Sequence, residues 1–152
     1  MKSRLVVVDT SVVRAAGETN HPVSSACRNC LKAILIICHR VARTDPIYEE
    51  WKRHMSKFSL KWRATMVAKR KLPNVTPVPL SLRWEAYSDT AKAAIEKDRG
   101  LIEAALVTDC IIITLDDRLQ DALKERPDGQ ELLRRIQWIN PRNNGVAVIQ
   151  KL

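Results

Sequence analysis

No stretch of this 152-residue chain is apolar over anything near the ~20 residues that a membrane-crossing helix needs; Ile34 to Cys38 is typical of its longest apolar runs. A membrane span is therefore not expected. Met1-Lys2-Ser3-Arg4 leads straight into a strand-like segment, without the apolar region and small-residue cleavage site of a secretory signal, so a cytoplasmic location is expected. Cysteine is scarce too. Cys27-x-x-Cys30 has no second pair at metal spacing, which makes a zinc site with His21 or His39 a weak reading, and it does not open a helix after a strand, as a redox pair normally does. Cys27, Cys30, Cys38 and Cys110 are expected to be reduced thiols, the first three recurring along one apolar helix side as small hydrophobes. Neither an internal repeat nor a low-complexity tract occurs, and 45% apolar content can supply one core, so residues 1–152 are expected to form one domain. The most uneven absence is of acid. From Trp51 to Trp84 there are nine Lys or Arg and no Asp or Glu, while the remainder carries seventeen of each sign, so this window alone produces the net charge of +9. Such a surface attracts phosphate polymers, although solubility is the plainer explanation when the charge is taken alone.

What is present reads as an α/β alternation. The β-branched run Leu5-Val6-Val7-Val8 ending in Asp9-Thr10-Ser11 has the pattern of a parallel strand buried on both faces, followed by capping residues. After a loop from Gly17 to Pro22, Ser24 and Ser25 can cap a helix running to about Arg43. Asp45-Pro46 opens another, which extends toward Lys71 unless Ser56 and Ser59 break it. The proline-rich stretch from Leu72 to Leu80 is a connection or at most an edge strand. Helical patterns follow over Ser88 to Lys97, Asp98 to Val107 and Leu119 to Glu125, the last stopping near Pro127-Asp128-Gly129. Ile111 to Thr114 is read as a buried strand, and Ile136 to Ile139 and Val146 to Ile149 as late strands.

Four carboxylates lie beside these apolar segments, where an ionised group must find a cation, a donor or a raised pKa. Asp9 and Asp116 follow strands, and an open parallel sheet binds ligands outside the carboxyl ends of its strands, where strand order reverses. Either could instead cap a helix or lie in a polar turn. Asp98 falls in the stripe Leu101, Ile102, Ala105, Leu106, with N-terminal capping as its alternative; Glu103 points away from that stripe and reads as a solvated charge. Glu50 borders the stripe Ile47, Trp51, Met55, Phe58, Trp62, Met66, and shares a ridge with His54, Lys57 and Lys61. Trp51 and Trp62 belong to that stripe and read as core.

Leu5-Val6-Val7-Val8-Asp9-Thr10-Ser11, Ile47-Tyr48-Glu49-Glu50-Trp51, the segment Lys97-Asp98-Arg99-Gly100 with its Ala-rich continuation, and Ile112-Ile113-Thr114-Leu115-Asp116-Asp117 together resemble, in order and spacing, the four acidic motifs of PIN-domain nucleases. That family includes toxin ribonucleases of toxin–antitoxin pairs and RNA-processing enzymes. The resemblance implies a three-layer α/β/α sandwich around a mostly parallel sheet. It also implies hydrolysis of RNA to products with a 5′-phosphate and a 3′-hydroxyl. Asp9, Glu50, Asp98 and Asp116 would hold one or two Mg or Mn ions, hard cations that suit carboxylate oxygens, with Ser11 and Thr114 orienting ligands. Glu49 and Asp117 stand as alternatives to Glu50 and Asp116, which helical geometry and the Thr-x-Asp spacing favour. Lys57, Lys61, Arg63, Lys69 and Arg70 would contact the RNA backbone. The partners implied are RNA, a small antitoxin protein and a second copy of the chain. The basic segment between the second and third acids is more elaborate than in minimal members. A competing reading is a non-catalytic RNA- or protein-binding module of the same fold. Phosphoryl transfer on Asp9 is disfavoured, because Ser11 stands where a haloacid-dehalogenase-like pattern needs an acid.

Overall fold

The computed structural model describes residues 2–152. Its centre is a four-stranded, wholly parallel sheet of β1 (Leu5–Val8), β2 (Arg40–Val41), β3 (Ile111–Ile113) and β4 (Gln137–Ile139), in the order β2-β1-β3-β4. Val6 to Val8 and Ile111 to Ile113 are buried throughout, as expected of strands covered on both faces. Among the described residues eight helices surround the sheet: α1 (Thr10–Ala15), α2 (Pro22–Ile36), α3 (Asp45–His54), α4 (Lys57–Ala68), α5 (Asp89–Leu106), α6 (Arg118–Leu123), α7 (Pro127–Arg135) and α8 (Gly145–Gln150). One layer is built on α5, which packs against β1, β3 and α6; the other gathers round α2, which packs on α1, α4 and α8. The expected α/β/α architecture is present.

Register decides where the chain ends its strands. Val7 and Val8 lie opposite Ile112 and Ile113, so β1 and β3 finish side by side. From β1 the chain moves outward to β2, then returns past β1 to β3 and on to β4. The order therefore reverses between β1 and β3, and the two strands diverge there into α1 and the turn before α6. This leaves a crevice at their carboxyl ends.

Several boundaries differ from the sequence reading. The helix expected to reach Arg43 starts at Pro22 and stops at Ile36, so Cys38 is exposed rather than apolar-facing, and Arg40–Val41 becomes the edge strand. Lys71 Nζ donates to the Ile34 and Leu35 carbonyls at 2.6 and 2.8 Å and to that of Ile37, taking up the free carbonyls at that helix end. The proline-rich stretch runs along this edge, where Val75 N donates to the Arg43 carbonyl at 2.8 Å and Arg43 bridges Asn74 in parallel.

Ser56 does interrupt the basic helix: its hydroxyl accepts from Ser59 N and caps α4, so α3 and α4 are separate and the ridge Glu50, His54, Lys57, Lys61 is not continuous. Ser88–Lys97 and Asp98–Val107 are not two helices but the single α5. The helix after Leu119 does stop ahead of Pro127, as α6 ending at Leu123, but Pro127 then opens α7, which the sequence reading did not include, its fixed φ suiting the first turn. Val146 to Ile149 is helical, not a strand. Gly145 lets α8 seat on α2, since a Cβ there would stand 2.6 Å from Cys30 Sγ, and this packing overrides the β preference of the valines. Cys27 and Cys30 are buried free thiols, pushed up by burial to pKa values of about 11 and about 12. No helix among the described residues is long and apolar enough to cross a membrane.

Candidate functional site

Asp9 leaves the end of β1 with its backbone still in the ladder, Asp9 N donating to the Ile113 carbonyl at 2.9 Å. Its side chain is buried and held by two hydroxyls: Ser11 Oγ and Thr114 Oγ1 donate to Asp9 Oδ2 at 2.7 and 2.8 Å. Each hydroxyl also accepts a backbone N–H, Ser11 from Leu115 N beyond the end of β3 and Thr114 from Asp116 N two residues along its own segment. The bonds from Thr114 to Asp9 and from Leu115 to Ser11 thus tie the ends of β1 and β3 together, the other two brace each end locally, and both hydroxyls on Asp9 engage the same carboxylate oxygen. No side-chain cap bond links Asp9 to α1, so capping does not account for it.

Glu50 is placed by its neighbour. Trp51, fully buried, donates its indole N–H to the Val8 carbonyl at 3.1 Å, which anchors α3 against the last residue of β1. Glu50 then lines the crevice with Asp9, Asp98, Asp116, Thr10, Ser11, Arg14, His54, Lys97 and Arg118. Glu49 lies outside it, paired with Lys52 at 2.7 Å and with 61% of its side chain exposed. Asp117 is the residue before α6 and accepts from Gln120, again outside the crevice. Of the two open pairs, Glu50 and Asp116 line the crevice and Glu49 and Asp117 do not.

Asp98 sits in the middle of α5, in the row of Ile95, Leu101 and Ile102, all buried. A mid-helix position excludes the capping alternative. Among the described residues no donor reaches either Asp98 or Glu50. Burial first, then the charge of Asp9, and more weakly those of Asp116 and Glu50, push Asp98 up to about 6, only partly opposed by Lys97. All four acids consequently act on one field. Asp116 has the opposite environment: Arg118 grips it with Nε and Nη2 at 2.8–3.1 Å and holds it below the usual carboxylate range.

Glu103 corrects the sequence reading. It is not a solvated charge but is only 15% exposed, accepting from Leu80 N at 2.7 Å and so pinning the proline-rich connection to α5. The basic positions Lys57, Lys61, Lys69 and Arg70 are exposed and none lines the crevice, whereas Arg63 is half-buried with its guanidinium 5.2 Å from the Tyr48 ring centre. The cations that do line it are Arg14, Lys97 and Arg118, none of which local sequence pattern marks for that role with any force, together with His54 of the ridge that Glu50 shares. Arg118 carries the one available signal, its place two residues after a strand-end acid.

No family model matches the chain, and comparison with curated proteins gives no match. The site stands on its chemistry. Its four acids offer only oxygen, two of these carboxylates have no hydrogen-bond donor, and one has a raised proton affinity; that set suits a hard divalent cation rather than a soft one. Among the described residues no group of three or more His, Cys, Asp or Glu side chains is arranged to hold a metal ion. Asp116 is taken up by Arg118 at 2.8 Å.

Proposed function

We propose that this protein is a metal-dependent endoribonuclease of the PIN type, hydrolysing RNA phosphodiester bonds in the crevice between the ends of β1 and β3. The observation that carries the reading is Asp98: a carboxylate in the apolar row of a helix, without a donor, its pKa raised to about 6 by burial and by three other acids facing the same space. Outside a functional site, such an arrangement only lowers stability.

Asp9, Asp98 and Asp116 would hold Mg or Mn directly and Glu50 directly or through water. Such an ion supplies neutralisation of a phosphodiester oxygen and a more acidic bound water. Ser11 and Thr114 hold Asp9 in one orientation through Oδ2. Arg14, Lys97 and Arg118 ring the acids and attract the phosphate that the acids alone would repel. Asp116 becomes free as its Arg118 partner turns to the substrate.

The test is cleavage of a generic RNA by the purified protein. Cleavage should require Mg or Mn, stop with chelator, and be lost in Asp98→Asn while the variant remains folded. Full activity of Asp98→Asn would overturn the reading. A second reading, an RNA- or protein-binding module without turnover, is favoured by the lack, among the described residues, of a preformed three-residue metal group; RNA binding with no metal-dependent cleavage would select it. A toxin role with a small antitoxin partner goes with the first reading and predicts a short reading frame immediately upstream.

A further inference from the structure

Three cations converge on one tyrosine at the edge of the sheet. The Arg43 guanidinium carbon lies 3.8 Å from the centre of the Tyr48 ring, that of Arg63 5.2 Å, and Lys52 Nζ 5.4 Å. They come from three elements. Arg43 leaves the carboxyl end of β2 with its backbone fixed by Pro73 and Val75, Lys52 sits one turn along α3 from Tyr48, and Arg63 reaches across from α4.

One cation over a tyrosine is a favourable contact. Three around a single ring repel one another, and the ring cannot neutralise them. Among the described residues no carboxylate pairs with Arg43 or Arg63, and neither guanidinium donates a hydrogen bond. Glu49, on the same helix, is already on Lys52. Arg43 Nε and Arg63 Nη1 are moreover buried without any partner, in a structure whose other buried side-chain polar atoms are almost all satisfied. Half-desolvated guanidiniums with open donors and no counter-charge are the makings of an anion site.

We infer that Arg43, Arg63 and Lys52, arrayed on Tyr48, bind a backbone phosphate of the RNA that the crevice cleaves; this rests on the nuclease reading for the identity of the polymer. The position fits an approach path. Ile47 and Glu50 line the acidic crevice, while Tyr48 and Lys52 occupy another side of the same α3, so a strand crossing this helix meets the cations before the acids. Lys57 and Lys61, exposed on α4, are not among the cations on the Tyr48 ring.

The experiment measures binding of a fluorescein-labelled single-stranded oligouridylate to the full chain in excess EDTA, by anisotropy across a salt series, with unfolding curves for every variant. Arg43→Gln with Arg63→Gln should weaken binding by about tenfold at low salt and make log K less steep in log salt by about 0.7 for each phosphate no longer neutralised. Arg43→Lys with Arg63→Lys, which keeps the charge and removes the fork, should restore most of the salt slope. A structural role alone would shift the unfolding midpoint and leave the slope untouched. An unchanged slope in the folded Gln variant overturns the site, as does a wild type that binds no oligouridylate. If that variant does not fold, the Lys variant together with Lys52→Gln decides: a wild-type slope in Lys52→Gln and unchanged affinity in the Lys variant overturn it. Weakened binding in the Gln variant of a protein that never cleaves RNA with Mg or Mn would keep the site and refute the nuclease reading.

Discussion

Asp98 costs the folded chain stability, and the sign follows from its proton affinity. Its pKa of about 6 stands above the ordinary 3.8, so the folded state resists ionisation. The stability associated with this group is whole below about pH 4 and is lost as pH rises through about 6. Asp98→Asn should therefore raise the unfolding free energy of the metal-free protein at pH 7.5 by about 1 kcal/mol, allowing for solvent screening, while abolishing cleavage. Chemical denaturation at pH 4 and pH 7.5 checks it; equal stability gains at both pH values would contradict it. His39 works the other way. It is fully buried as the neutral ring, Nδ1 accepting from Arg4 N and Nε2 donating to the Ile149 carbonyl, and burial lowers its pKa below 6.5. Its contribution is present above pH 6.5 and lost as pH falls through the lowered value, so His39→Gln should cost about 1–3 kcal/mol at pH 8 and flatten the acid side of the stability curve. Arg118→Ala should let the Asp116 pKa rise toward the ordinary range, readable by carboxyl NMR, and tighten Mn binding a few-fold in a titration without RNA.

Elements meet the site through a few anchoring contacts. α3 is tied by Trp51 to Val8, α5 by its apolar row to β1 and β3, and α7 by a close approach at Gly129. A Cβ at Gly129 would run into the Leu123 carbonyl oxygen and lie 2.6 Å from the Tyr87 hydroxyl, which itself donates to Asp128 at 2.5 Å. Because the first obstacle is backbone, Gly129→Ala should destabilise by about 1–3 kcal/mol, seen as a lower unfolding midpoint, and leave Mn binding by the folded fraction unchanged. The places where element boundaries depart from the sequence reading share one origin. α7 goes unread, and Val146 to Ile149 reads as a strand, only while local preference is weighed without neighbours. In the fold, Tyr87 and Leu123 receive the first turn of α7, and α2 offers α8 a seat at Cys30.

Over the whole molecule the charge divides between an acidic crevice and cations that surround it or lie beyond it. Raising salt should slow RNA association more than it slows cleavage of bound RNA, measurable by stopped-flow anisotropy against single-turnover rates. Lys57→Ala with Lys61→Ala should weaken RNA binding and reduce its salt dependence; an unaltered slope would remove those two lysines from the path. Within the basic window, Lys71 is spent on the carbonyls that end α2, so a count of nine cations overstates what faces a ligand. The strand-end acids, the parallel class of sheet and the buried stripes are legible in sequence, because each follows from the local alternation of apolar and polar residues. Helical geometry already favours Glu50 over Glu49, but only the tertiary structure could deny Asp98 a capping role, pair Arg118 with Asp116 and set Arg43 beside Arg63. Those are distances between residues far apart in the chain or one helical turn different in facing, and the packing of α3, α4 and α5 onto β1 fixes them.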